Sequence, residues 1–315
     1  MKANRKLIIP LGIILLLGIL YFLTSLRDRS ADLPELKKWS GEADEITIAR
    51  PGDSLRIYRK EGRWVIGDQA YPADDKIVGT LLEKLKNLQI TELSSTRPYY
   101  EKFDLTSEKA LPVTVKQGGR VLRDLLIGKR SETTSHTFIQ LKGRAEVYKV
   151  SGLQREDCDK GLNEWRDKSI INVPAKNISS LQILHKGKSL TFEKITGVKA
   201  SPGPAPDKAK PEAAERWICR EHNNLILDER KTQALIRSFG PMKAFNFADI
   251  EAKSLKNAET LIKINAAGKT YEVRIYSKTK GDQYPCTSSE LPYIFLLDKF
   301  GAERYAKDIK EYVQQ

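Results

Sequence analysis

Residues 7–26, LIIPLGIILLLGILYFLTSL, run for twenty positions without a charge, with Lys2, Arg5 and Lys6 before them and Arg27 and Arg29 after. A helix rises about 1.5 Å per residue, so this stretch matches the roughly 30 Å apolar core of a bilayer. The run predicts an uncleaved signal anchor from Leu7 to Leu26. A cleaved secretory signal has a shorter core and a small-residue exit. Here the exit reads Phe22-Leu23-Thr24-Ser25-Leu26-Arg27, and the cysteine a lipoprotein signal needs there is absent, the first being Cys158. Basic residues are nearly balanced across the run, but long domains translocate largely regardless of charge. The six-residue tail 1–6 is therefore expected in the cytoplasm and everything past the anchor outside it.

Residues 27–43 read as a polar tether with Pro34 and the basic pair Lys37-Lys38. Alternation then begins. Glu45–Ala49 and Ser54–Tyr58 flank a Pro51-Gly52-Asp53 turn, and Arg63–Ile66 supplies a third strand after Glu61-Gly62. Asp74-Asp75 opens an amphipathic helix through Ile77, Val78, Leu81, Leu82, Leu85 and Leu88. The same pattern returns 135 positions on, where Ser180–Ile183 echoes Glu45–Ile48 and Gly187–Leu190 echoes Gly52–Leu55. Arg216-Trp217-Ile218-Cys219 echoes Arg63-Trp64-Val65-Ile66 at a larger offset, because the Pro-, Ala- and Lys-rich segment 197–214 intervenes. A second helix follows Leu227-Asp228-Glu229, and later strands correspond in turn. The expected fold class is α+β. A first module covers 44–173 and a second 174–315, a duplicated pair of β-rich modules each carrying a packed amphipathic helix.

Formal net charge is +13, and residues past 26 carry +10 of it. Two readings follow: lysines spread over solvated faces, or a basic module that meets anionic lipid or an acidic glycan polymer. No Arg-rich run or stacked aromatic pattern accompanies the charge, so no nucleic-acid partner is expected. Cys158, Cys219 and Cys286 contain no C-x-x-C spacing, which argues against zinc and thioredoxin-like chemistry. Pairing of Cys219 with Cys286 and three free buried thiols are both open.

Catalytic signatures fail one at a time. Gly187-Lys188-Ser189 resembles the end of a phosphate loop, but Gln182 stands where the first glycine belongs and a strand follows instead of a helix. His136, His185 and His222 lack any metal-ligand spacing, and no G-x-S-x-G elbow exists. Asp74-Asp75 and Asp157/Asp159 sit where acids cap helix starts. No enzyme activity, cofactor or metal is expected. Trp64 and Trp217, once in each half, and Trp165 near the junction are expected to anchor sheet to helix. The other reading, a stacking surface for arginine or a sugar, stays open for them, as for exposed aromatics such as Tyr99-Tyr100.

The segments Gly62–Ile66, Ala73-Asp74-Asp75 leading into Leu81–Leu88, Phe103-Asp104-Leu105, Val121–Gly128, Val147–Val150 and Trp165–Lys168 resemble the bacterial domain-of-unknown-function family 4340. The resemblance is clear over Ile46–Val173 and weaker beyond, where the insert 197–214 departs from it. It implies a protein held by an amino-terminal anchor in the bacterial inner membrane, single-pass, with its bulk periplasmic. It also implies an accessory or scaffold role beside a gliding-motility-type ABC transporter, with a permease or large anchored subunit as partner. No catalytic residue carries over.

Overall fold

The computed structural model describes residues 14–19, 22, 33–50, 52–132, 135–196, 215–279 and 281–313. The anchor limits Leu7 and Leu26 and the insert 197–214 lie outside the described residues. Residues 14–19 and 22 are helical. Among the described residues no helix is long and apolar enough to cross a membrane. The chain divides into two compact units, Met1–Asp167 and Lys168–Gln315, each built on one large antiparallel sheet with few helices.

The first unit contains β1 (Glu45–Arg50), β2 (Asp53–Lys60), β3 (Arg63–Ile66), β4 (Tyr71–Pro72), β5 (Gln89–Ser95), β6 (Leu111–Gln117), β7 (Arg120–Arg130), β8 (His136–Leu141) and β9 (Val147–Ser151). They hydrogen-bond in the order β4-β3-β2-β1-β6-β7-β8-β9-β5. Register explains why one face is apolar. Ile46 lies opposite both Ile57 and Val115, and Ile48 opposite Leu55 and Val113, so every second residue of three neighbouring strands meets in one buried stripe. Each such side chain, once buried, contributes on the order of 1.5–3 kcal/mol. Helix α1 (Asp75–Lys86) buries Val78, Leu81 and Leu85 among these residues. Its start is fixed by Asp74, whose carboxylate accepts from the Lys76 and Ile77 amides at 3.0 and 3.2 Å.

Two features of this unit differ from the sequence expectation. The helix stops at Lys86, and Gln89–Ser95 becomes an edge strand paired with β9. Leu88, expected as the last helical contact, is buried just before that strand. The segment expected as a polar tether is part of the unit in its second half: Leu36 and Trp39 pack against the core. Arg123, 7 % exposed, donates from Nη2 to the Lys37 carbonyl at 3.1 Å, with its guanidinium 5.3 Å from the Trp39 ring centroid.

Gly79 interrupts α1 with nothing within 4 Å of the position a Cβ would take. A mid-helix glycine costs about 0.5–1 kcal/mol relative to alanine. Gly79→Ala is therefore expected to stabilise the unit by that amount, seen as a higher urea midpoint with unchanged slope; a lower midpoint would show that the backbone there is not simply helical.

The second unit holds β10 (Ser169–Ile171), β11 (Ile178–His185), β12 (Lys188–Ile195), β13 (Arg216–Cys219), β14 (Leu225–Ile226), β15 (Met242–Lys243), β16 (Asn246–Phe247), β17 (Thr260–Ala266), β18 (Lys269–Ile275), β19 (Tyr284–Ser288) and β20 (Phe295–Leu297). The sheet order is β14-β13-β12-β11-β17-β18-β19-β20-β16, while β10 and β15 pair apart from it. Strand for strand, this is the same chain order as in the first unit. The turn at Lys186-Gly187, both at positive φ, closes the β11–β12 hairpin with His185 opposite Lys188. Gly187-Lys188-Ser189 is thus hairpin, not phosphate loop.

Short helices α2 (Arg155–Cys158) and α3 (Leu162–Trp165) end the first unit; α4 (Glu229–Arg237) and α5 (Lys299–Glu303) belong to the second. Asp228 caps α4 by accepting from the Lys231 amide at 2.8 Å, and Leu235 and Ile236 enter the core. Ile170, Ile171 and Val173 lie in that same core, so the chain joins the second unit several residues before Pro174.

Candidate functional site

All three singled-out tryptophans are buried. Trp64 lies in the first core with Arg59 4.7 Å above its ring, and Trp217 lies in the second. Neither Arg63 nor Arg216 is the cation that stacks on its neighbour; alternation along β3 turns Arg63 out to solvent. Trp165 is fully enclosed, and its Nε1 donates to the Lys160 carbonyl at 3.2 Å. Its own carbonyl accepts from the Asp74 amide at 2.8 Å, which ties the end of the unit to the start of α1. Tyr99 is half exposed, whereas the Tyr100 hydroxyl donates to the Ala145 carbonyl at 3.2 Å and accepts from Gln140 Nε2 at 3.0 Å.

The carboxylates that sequence could pair are engaged structurally. Asp157 accepts from Lys84 Nζ at 2.7 Å and from the Gln154 amide at 2.8 Å, and Asp159 meets Arg50 at 3.1 Å. His185 faces Thr260 Oγ1 at 2.8 Å, and burial, with help from Lys186, holds its pKa below the usual value. Among the described residues no group of His, Cys, Asp and Glu could hold a metal ion. All three cysteines are free and buried, which answers the pairing question for Cys219 and Cys286. Burial raises the Cys158 thiol to about 12 and pushes Cys219 and Cys286 upward as well, so none is a ready nucleophile.

Among the clefts on the first unit, two bear on function. One, of about 440 Å³, lies between the docked segment and α1, bounded by Trp39, Arg59, Trp64, Gly79 and Lys86. The other, of about 640 Å³, is the more charged. Its floor is a cross-strand row: Phe138 of β8 lies opposite Lys149 of β9, which lies opposite Glu92 of β5. Lys129, Arg130 and Ser131 rise at one end, and the short 3-10 turn Tyr100–Phe103 brings Lys102 and Phe103 to the rim. Phe103 and Phe138 pack with ring centroids 4.8 Å apart. Sequence reasoning missed this cleft, because its residues are scattered from Glu92 to Lys149 with no fixed spacing and only the sheet order collects them.

The fold and its clefts define a β-rich, two-unit chain with no recognisable catalytic constellation among the described residues. The model of the family described as a domain of unknown function, DUF4340, matches residues 64–263, from β3 of the first unit to β17 of the second, and the chain belongs to that family. No curated protein and no solved structure matches the chain.

Proposed function

We propose that this is a membrane-anchored extracytoplasmic accessory or scaffold protein of an ABC-type envelope transport system, acting by protein binding and not by catalysis. The observation that carries the reading is the docking of the segment 36–39, in which Leu36 and Trp39 pack against the core and Arg123 holds the Lys37 carbonyl and the Trp39 ring. Leu36 lies ten positions after Leu26. At about 3.3–3.6 Å per extended residue, the docking point lies within roughly 35 Å of the end of the apolar run. The first unit is thereby held close to the membrane, the arrangement that contact with an integral membrane partner requires. A permease or a large anchored subunit fits that geometry. In-cell crosslinking of the full chain, followed by purification in mild detergent, tests it. Recovery of a permease or ATPase in fixed proportion is the expected result, lost when a cleavable signal replaces residues 1–26; recovery of the chain alone would refute it.

The finer architecture also belongs to this reading: the two units are copies of one ancestral module. Their matching strand order supports it, together with the Arg-Trp strands 63–66 and 216–219 at equivalent places.

A second reading, binding of anionic lipid or glycan, draws on the charged cleft of the first unit and on the +10 charge past residue 26. It predicts retention on anionic surfaces that falls with added salt.

A further inference from the structure

The charged cleft contains four cations and two carboxylates, and its ion pairs are unevenly distributed. Lys149 is engaged by Glu92 at 2.9 Å, and Arg130 by Glu156 at 3.2 Å. Among the described residues Lys102 and Lys129 make no ion pair; the Lys102 ammonium rests 5.5 Å from the Tyr99 ring centroid. Glu132, on the rim, is the remaining acid and leaves a positive excess. A second observation is independent of charge. Ser94 lines the same cleft from β5, and its hydroxyl oxygen is buried with no hydrogen-bond partner. A buried hydroxyl without an acceptor is destabilising. A change of χ1 rotamer would turn this hydroxyl into the cleft, where an oxyanion would accept its proton.

We propose that this cleft of the first unit binds a phosphate group, with Lys102 and Lys129 as its charge partners and Ser94 as a hydroxyl donor. The proposal rests on the anion-binding reading above and narrows it to one place. Donor chemistry selects phosphate over carboxylate. The guanidinium fork, which grips carboxylate and phosphate alike, is committed here to Glu156, so the free cations are the two ammonium groups. Ammonium groups act as point charges that suit a compact, multiply charged anion, and a hydroxyl can donate to any of its oxygens. The backbone supports this use. The β7–β8 register shifts between Ile127 and Arg130, a bulge that falls at Gly128-Lys129, and bulges commonly re-aim the side chains they carry. The phosphate can be that of a soluble ester or of a lipid headgroup; the site chemistry is the same.

The test uses the full chain in a maltoside detergent, which contains no phosphate. Calorimetric titration with inorganic phosphate and with glycerol 3-phosphate forms one arm. Flotation of the full chain, incorporated into phosphatidylcholine vesicles with and without phosphatidylglycerol, against multilamellar vesicles of the same lipids forms the other. Saturable binding in either arm is expected, weakened at least about tenfold in Lys102→Ala/Lys129→Ala, since the variant removes both charge-assisted donors. Both lysines are exposed, so this variant should fold, and Glu132→Gln should bind more tightly. A response confined to the soluble esters assigns a diffusible ligand, and one confined to phosphatidylglycerol assigns a headgroup. Binding undiminished in the double variant overturns the site while leaving the general anion-binding reading intact. The absence of binding in both arms overturns both.

Discussion

Replacing Trp165 by alanine is expected to lower the stability of the first unit by about 3–5 kcal/mol, the usual cost of emptying a large aromatic site in a core. The ring is 0 % exposed, so its removal leaves a cavity that the surrounding sheet cannot fill without moving. The effect extends beyond volume. Trp165 closes α3, its indole N–H satisfies the Lys160 carbonyl, and its backbone carbonyl holds the residue that caps α1. The Asp74 amide donates to the Trp165 carbonyl, and Ala73 bridges to Arg166. Loosening this corner therefore weakens the cap of α1 as well as the core beneath it. Urea unfolding of the full chain should show the transition of the first unit moved to much lower denaturant. Trp165→Phe should recover part of the loss by keeping the ring volume without the N–H. An alanine variant no less stable than one at exposed Arg63 would show that the corner is not structural.

Which parts of this molecule could be read from sequence follows from how local each signal is. Arg63–Ile66 and Arg216–Cys219 are strands with the boundaries that alternation and flanking turns suggested, because both signals lie within a few residues. The helix beginning after Asp74 was legible for the same reason: a capping acid followed by an apolar stripe at helical spacing. Its end was not. Leu88 continues the helical stripe and is also the residue before an edge strand, so periodicity alone extended the helix to it. Strand β5 is specified by its partner β9, some sixty residues on, and nothing inside Gln89–Ser95 declares that partner. The docked segment was similarly hidden. Pro34, Lys37 and Lys38 read as a spacer, yet Leu36 and Trp39 pack against the core and the segment is held by Arg123, a cation more than eighty residues away. The charged cleft is the extreme case. Each of its residues reads as an ordinary solvated charge or strand residue, and the grouping exists only once β7, β8, β9 and β5 lie side by side. Its one local trace is Gly128, a glycine near the end of a long strand, which signals a bulge or a close backbone approach.

Gly128→Ala is expected to destabilise the first unit by about 1–3 kcal/mol through overpacking, the opposite sign from the same change at Gly79. The two glycines separate conformation from space. At Gly79 an added methyl meets nothing, whereas at Gly128 it would lie 2.1 Å from the Phe103 carbonyl oxygen and 3.0 Å from Leu105 Cγ. The first obstacle is backbone and cannot swing aside as a side-chain tip would. It belongs to the turn Tyr100–Phe103, which is closed by Asp104 in the left-handed conformation and held by the Leu105 amide on the Tyr100 carbonyl at 3.0 Å. Something must shift, and the turn is less extensively bonded than the paired strand beneath it. Moving the turn carries Lys102 and Phe103 away from Lys129, so the alanine variant should lose phosphate binding along with stability. Hydrogen exchange distinguishes this route from general unfolding. Amides of residues 100–105 should lose protection in the variant while those of β1 and β6, buried centrally in the sheet, change only by the global shift in stability. Uniform loss of protection across the unit would mean that the collision is absorbed by the sheet, and that the turn is held more firmly than its hydrogen bonds suggest.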